Sequence, residues 1–102
     1  MKTAIVASLL MLAAHAGSVG AQSRYENFVA SVYVRAGEVA RMADRDYLEQ
    51  NWAAIRDDVA VGKIYLETHR DLRIVDEATL VAARDFFEQQ GLEVAGGITL
   101  TI

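Results

Sequence analysis

The residues of this sequence best suited to chemistry stand together at the end of one apolar run. In residues 61–71, "VGKIYLETHRD", an apolar stretch around Ile64 gives way to Glu67, His69 and Arg70. Titratable side chains gathered in this way are enriched at functional sites. Arg70 also suits a bidentate contact with a carboxylate. The segment therefore predicts a buried strand that runs directly into a polar site.

Strand geometry decides which of these side chains would lie together, because successive side chains point to opposite faces of a sheet. Strict alternation places Ile64, Leu66 and Thr68 on one face, and Tyr65, Glu67 and His69 on the other. If helices cover the first face, Glu67 and His69 face the opposite side, near the carboxyl end of the strand.

Two helices and three strands are predicted to position this segment. One helix starts near Asp44 or Asp46, either of which can accept the free N–H groups of its first turn. Its apolar stripe has helical spacing and consists of Leu48, Trp52, Ile55 and Val59. The strands are residues 28–35, 63–69 and 92–102, which are rich in β-branched and aromatic side chains.

The second helix has clearer boundaries. Asp76 is the predicted N-cap, and Val75 and Leu80 occupy the positions of a hydrophobic staple. Gly91 suits the left-handed residue after the helix, with Leu92 folding back on the last turn. The predicted buried stripe is Leu80, Ala83 and Phe87.

The order strand, helix, strand, helix, strand favours an α/β fold with parallel strands joined by right-handed crossovers. Tyr33 and Tyr65 occupy matching places in "VYVR" and "IYLE", 32 positions apart. A spacing of about 30 residues is that of one strand–helix unit. The carboxyl ends of the strands, where Glu67 lies, carry the site in a barrel and in a doubly wound sheet alike.

Composition excludes several classes of site. The chain has 102 residues, no Cys and a formal net charge of -4. It therefore has no disulfide, thiolate metal site or Cys nucleophile, and its charge does not suit a nucleic-acid partner. His69 has no second His at a metal-ligand spacing, because His15 would be removed with a signal peptide. We therefore predict no metal. Gly96-Gly97 is followed by no phosphate-binding helix, and no cofactor is predicted; the pair instead suits a bulge or a close backbone approach.

The amino terminus has the pattern of a secretory signal peptide. A basic Lys2 precedes the apolar run 4–14, and small residues lead to predicted cleavage after Ala21. That run is shorter than the roughly 20 apolar residues that cross a bilayer. We expect an exported protein, periplasmic or extracellular, with one domain over residues 22–102 and no stable membrane span.

The runs "KIYLETHRD" and "VDEATLVAARDFFEQQGLEVAGGIT" resemble the amino-terminal units of bacterial (β/α)8 proteins of the glycoside-hydrolase-like superfamily. The resemblance implies a carbohydrate partner, with Glu67 as a catalytic carboxylate and Tyr65, His69 and Arg70 as substrate-binding residues. It also implies three parallel strands, in the order β-α-β-α-β, of an incomplete TIM-type barrel. A complete barrel takes roughly 200 residues or more. A piece of that kind is expected to be inactive alone and to self-associate through its open sheet edges.

Alternatives remain open for Glu67 and for the whole chain. Glu67 has a purely structural interpretation, as the partner of Arg70, Arg35 or His69 in an ion-pair network at a strand end. For the whole chain, the alternatives are a small exported binding module without catalytic activity and an α/β domain of another enzyme class with a doubly wound sheet.

Overall fold

The structure is a computed structural model that describes residues 25–100. The predicted signal peptide, residues 1–21, lies outside the described residues. The elements, in chain order, are β1 (Ala30–Val34), α1 (Ala36–Arg41), α2 (Arg45–Asp58), β2 (Val61–Arg70), β3 (Arg73–Ile74), α3 (Glu77–Gln89) and β4 (Glu93–Thr99).

The sheet is mixed rather than purely parallel. The central strand β2 pairs in parallel with β1 on one side and with β4 on the other. The chain then turns back after β2, and β3 pairs with its end in the antiparallel direction. Asp71 makes this turn possible by adopting a positive φ of 55°. The prediction of three parallel strands is therefore right for β1, β2 and β4, but wrong in omitting β3.

Local sequence signals set the helix ends. The Asp44 side chain accepts hydrogen bonds from the backbone N–H groups of Asp46 and Tyr47 at the start of α2. The Asp76 side chain accepts from the Thr79 N–H at the start of α3. Gly91, with a φ of 88°, ends α3. The predictions for Asp76 and Gly91 are confirmed, and of the two residues predicted to start α2, Asp44 or Asp46, the cap is Asp44; the six-residue helix α1 has no counterpart in the prediction.

The core lies between the helices and the face of β2 that carries Ile64 and Leu66. The Trp52 ring of α2 meets the Phe87 ring of α3 edge-on, with centroids 5.5 Å apart. The buried apolar residues are Ala36, Val39, Leu48, Trp52, Val61, Ile64, Leu66, Val75, Ala83, Phe86, Phe87 and Leu92.

Only the first half of the predicted α2 stripe is buried. Ile55 and Val59 are 36% and 37% exposed, unlike Leu48 and Trp52. Ile55 borders a groove of about 270 Å³ beside β1, lined also by Val32, Val34 and Met42.

Candidate functional site

Glu67 is the centre of a buried polar cluster at the carboxyl ends of the parallel strands. It is the one fully buried charged residue within residues 25–100, with 0% exposure. Its Oε1 atom accepts from the Ala36 N–H at 2.7 Å and from Arg70 Nε at 2.9 Å. Its Oε2 atom accepts from Tyr33 OH at 2.6 Å, from Arg70 Nη2 at 3.1 Å and from the Thr99 hydroxyl. We call these five residues the Glu67 cluster.

The cluster joins four elements through one side chain. Tyr33 comes from β1, Ala36 from α1, Glu67 and Arg70 from β2, and Thr99 from the end of β4. Ala36 is the first residue of α1, where a backbone N–H has no partner within the helix. The Arg35 side chain at the N-cap position makes no capping hydrogen bond, and Glu67 supplies the acceptor from the neighbouring strand instead.

A β-bulge at Thr68 decides which side chains meet Glu67. In the pairing with β4, Glu67 is opposite Gly97 and His69 is opposite Ile98, so Thr68 is an extra residue. Its carbonyl oxygen accepts from the Val75 N–H at 3.0 Å, and its hydroxyl donates to the Gly97 carbonyl oxygen at 3.3 Å. The carbonyl oxygen and the hydroxyl of Thr68 thus both have hydrogen-bond partners, which stabilise the bulge.

The bulge exchanges the expected places of His69 and Arg70. Strict alternation put His69 on the face of Glu67, but one extra residue reverses the faces beyond Thr68. Arg70, opposite Thr99, therefore reaches Glu67. His69 is exposed, and its Nδ1 lies 2.7 Å from the Thr68 hydroxyl. The expectation that Glu67 and His69 share a face is wrong for this reason.

The surroundings of Glu67 keep its carboxylate ionised. Burial alone would raise the pKa, but the hydrogen bonds from Arg70, Thr99, Tyr33 and the Ala36 N–H outweigh burial. Together they lower the pKa of Glu67 from 4.5 to about 2. The carboxylate is therefore an acceptor at physiological pH, with no proton to donate.

A polar cavity of about 320 Å³ opens beside the cluster. Arg70 lines this cavity, so its guanidinium connects Glu67 with the surface. Arg35 Nη2 and Glu38 Oε1 are 3.2 Å apart in a more exposed ion pair. The lining residues are Arg35, Gly37, Glu38, Arg70, Asp71 and Arg73. We call this space the arginine cavity.

Tyr65 lies next to the cluster on the same face of the sheet. Its ring centroid is 6.3 Å from that of Tyr33, and the two rings are tilted by 30°. The Lys63 ammonium lies 4.8 Å from the centre of the Tyr65 ring and 3.6 Å from a Glu93 carboxylate oxygen. Glu93 therefore lies at the amino-terminal ends of the strands, away from Glu67.

Sequence reasoning missed part of the cluster. The sequence indicates Thr99 only as a strand residue, and Ala36 carries no signal because its backbone N–H, rather than its side chain, makes the contact. The predicted Arg70 partner of Glu67 is present, and the two hydrogen bonds come from its Nε and Nη2 atoms. Within the described part of the chain, no group of three or more His, Asp or Glu residues is placed to hold a metal ion.

The chain matches the model of the family described as "Probable glycosyl hydrolase, catalytic domain" over residues 17–102. Comparisons with curated proteins and with solved structures give no match. None of the helices in residues 25–100 has the length and apolar character needed to cross a membrane. The matched range contains the Glu67 cluster and the arginine cavity, and it agrees with the resemblance seen in the sequence. The chain therefore belongs to the family of probable glycosyl hydrolase catalytic domains, which gives it a carbohydrate-related function.

Proposed function

We propose that this chain is an exported part of a glycosyl hydrolase-like (β/α)8 domain, which binds carbohydrate at the carboxyl ends of its parallel strands and is inactive alone. The observation that carries the proposal is the Glu67 cluster, in which one carboxylate fixes Arg70 beside an open polar cavity and holds the hydroxyl of Tyr33. Binding sites combine such fixed polar groups with aromatic surfaces. The family match supports carbohydrate as the ligand class.

Glu67 is better suited to anchoring than to proton transfer. A general acid must carry a proton near the working pH, and a glycosidase acid achieves this through a raised pKa. The pKa of Glu67 is lowered instead, and its two oxygen atoms already accept five hydrogen bonds. A carboxylate has about four lone-pair positions, so little capacity remains for a substrate. A catalytic role for Glu67 stays a prediction of the sequence; the geometry supports the structural alternative.

The aromatic pair Tyr33 and Tyr65 is the proposed contact surface for the sugar. Tyr33 is 47% exposed, although its hydroxyl is bound to Glu67, so part of its ring faces the open side of the sheet. Amphipathic rings of this kind combine an apolar face with a polar end. Arg70 adds guanidinium hydrogen-bond donors at the edge of the arginine cavity. His69 as a substrate contact stays a prediction of the sequence, because it is exposed on the other side of β2, away from this surface.

A binding module without catalysis is the second candidate function. The saturated carboxylate of Glu67 favours it, because a binding site needs fixed donors but no group that exchanges protons. Self-association is proposed for either candidate. The outer edges of β1 and β4 pair with no other strand within residues 25–100, and Ile98 on β4 is 63% exposed. Unpaired edges with exposed apolar side chains favour association between chains.

Affinity electrophoresis of the exported chain in gels containing different polysaccharides tests the proposal. We expect retardation on at least one polysaccharide, a loss of retardation in Tyr65→Ala, and no release of reducing sugar by either protein. Tyr47→Ala is the matched control, because Tyr47 lies on α2 and stacks with Arg41 instead. Circular dichroism checks that both variants fold. Equal mobility in every gel, or equal losses in the two tyrosine variants, would contradict the proposed site.

A further inference from the structure

Gly97 stands where a side chain would collide with Tyr33. A Cβ atom built on Gly97 would lie 2.9 Å from Tyr33 Cε2, 3.1 Å from its OH and 3.3 Å from its Cζ. A Cβ on the preceding Gly96 would meet only the Thr68 methyl group, at an ordinary 3.9 Å. Gly97 does not have the positive φ that Gly91 has. Space for Tyr33, rather than backbone conformation, therefore accounts for a glycine at position 97.

The Tyr33 ring needs this space because it crosses the sheet. Tyr33 belongs to β1 and is opposite Tyr65 on the central strand, whereas Gly97 belongs to β4 on the far side. The ring reaches over the central strand, so that its hydroxyl donates to Glu67 Oε2 at 2.6 Å and lies 3.4 Å from Thr99 Oγ1. One aromatic side chain thus connects all three parallel strands at their carboxyl ends.

We propose that Gly97 is a positioning residue. Because it has no side chain, the Tyr33 ring can lie against it, and the Tyr33 hydroxyl stays hydrogen-bonded to Glu67. The atoms in the way of a Cβ belong to the far end of a movable side chain. An alanine at this position therefore leaves the backbone in place and displaces the ring. Glu67 then loses one of its hydrogen-bond donors.

This loss has a pH signature that a simple steric defect lacks. The titratable groups facing Glu67 are Tyr33 from β1 and Arg70 from β2, with Asp71 beside Arg70; α1 and β4 contribute the neutral donors Ala36 and Thr99. A change in the contacts of Tyr33 or Arg70 with Glu67 therefore changes the pKa of Glu67 itself. A lost donor brings the folded-state pKa of Glu67 closer to 4.5, and the stabilisation by the carboxylate decreases.

The test is denaturant unfolding of the full chain at several pH values between 7 and 3. We expect Gly97→Ala to raise the unfolding equilibrium constant by about tenfold or more at pH 7, the effect of one hydrogen bond to a charged group. The difference from the wild type should shrink as the pH falls from the folded-state pKa of Glu67 in the variant, which lies below 4.5, toward about 2, because a protonated Glu67 no longer gains from the Tyr33 donor. Gly96→Ala is the matched control, and any effect of it should not change with pH.

A double-mutant cycle separates displacement of Tyr33 from other effects. In the Tyr33→Ala background the colliding ring is absent, so Gly97→Ala should add little. In Tyr33→Phe the ring remains, so the collision remains, although the hydroxyl is gone. If Gly97→Ala alone fails to fold, folding of Tyr33→Ala/Gly97→Ala supports the proposal. An equal, pH-independent effect of Gly97→Ala with and without Tyr33, or failure of the double variant to fold, overturns it.

The role of Gly97 in carbohydrate binding rests on the proposed function, whereas its role in placing Tyr33 does not. In the same polysaccharide gels, Gly97→Ala should weaken retardation and Gly96→Ala should leave it unchanged. If the wild type itself shows no retardation, the proposed function fails while the unfolding cycle still decides the positioning role.

Discussion

The Glu67 cluster and the helical core differ in whether their buried polar groups have hydrogen-bond partners. Around Glu67 the carboxylate accepts hydrogen bonds from three side chains and one backbone N–H. In the core, Trp52 Nε1 is buried and has no hydrogen-bond partner among the described residues. Buried polar groups without partners cost free energy, and an ion costs far more than a neutral N–H group. The strand ends are therefore held by specific hydrogen bonds, whereas the core is held by apolar contact, which tolerates one unmet donor.

Replacing Glu67 should have the largest effect among the changes to polar groups, because it leaves Arg70 beside a neutral group and replaces one of the two oxygen atoms that accept hydrogen bonds from four elements. We expect Glu67→Gln to lower the melting temperature by roughly 10–20 °C, as breaking a buried ion pair strongly destabilises a small domain. Differential scanning fluorimetry would measure this change.

Asp85→Asn is the matched control for Glu67→Gln. Asp85 also pairs with an arginine, Arg84, at 2.9 Å, but both side chains are about half exposed. Exposed ion pairs contribute little to stability, so the melting temperature should change by no more than about a few degrees. Similar melting temperatures for the two variants would remove the distinction between the Glu67 cluster and an ordinary surface ion pair.

The pH dependence of stability should distinguish the same two regions. The pKa of Glu67 is lowered from 4.5 to about 2, so folding is favoured where the carboxylate is ionised in both states. This contribution is complete above about pH 4.5 and is lost as the pH falls toward about 2. The gap in unfolding free energy between wild type and Glu67→Gln should therefore narrow on acidification.

Trp52→Ala provides the control for this pH dependence, because the core contact with Phe87 involves no titratable group. Its difference from wild type should stay constant over the same range of pH. Urea titrations at pH 7, 5, 4 and 3 would compare the two. A constant gap for Glu67→Gln would show that the carboxylate is not stabilised in the folded state.

The sequence predicted the parts of the fold that depend on neighbouring residues. Asp44, Asp76 and Gly91 mark helix ends because each acts on backbone groups within a few positions. The sequence predicted a bulge or a close backbone approach at Gly96-Gly97; the structure has a bulge on the facing strand at Thr68 and a side chain, the Tyr33 ring, against Gly97. The partner residue, however, belongs to another strand and could not be identified from the dipeptide itself.

The parts that escaped prediction depend on pairing between distant strands. The bulge at Thr68 arises from the register between β2 and β4, and alternation within β2 alone gives no sign of it. That one extra residue placed Arg70 rather than His69 on Glu67. The short helix α1 also escaped prediction, because its first N–H donates to Glu67, which lies 31 positions further along the chain. The polar cluster therefore lies at the strand end that the sequence indicated, with some partners that the sequence did not indicate, and its role as a functional site stays a prediction.

Trp52→Phe should have the smallest effect and most directly tests the tolerance of the core. The substitution removes the buried N–H that has no partner among residues 25–100, which by itself favours the folded state. It also removes apolar volume, which by itself destabilises the fold. A phenyl ring can keep the edge-on contact with Phe87.

The gain from removing the unpaired N–H and the loss of apolar volume oppose each other. We therefore expect Trp52→Phe to change the unfolding free energy by no more than about 1 kcal/mol, against about 3–5 kcal/mol for Trp52→Ala. Denaturant unfolding of both variants would measure this. A loss in Trp52→Phe as large as that in Trp52→Ala would mean that the indole N–H contributes to stability, and that the core depends on specific polar contacts as the Glu67 cluster does.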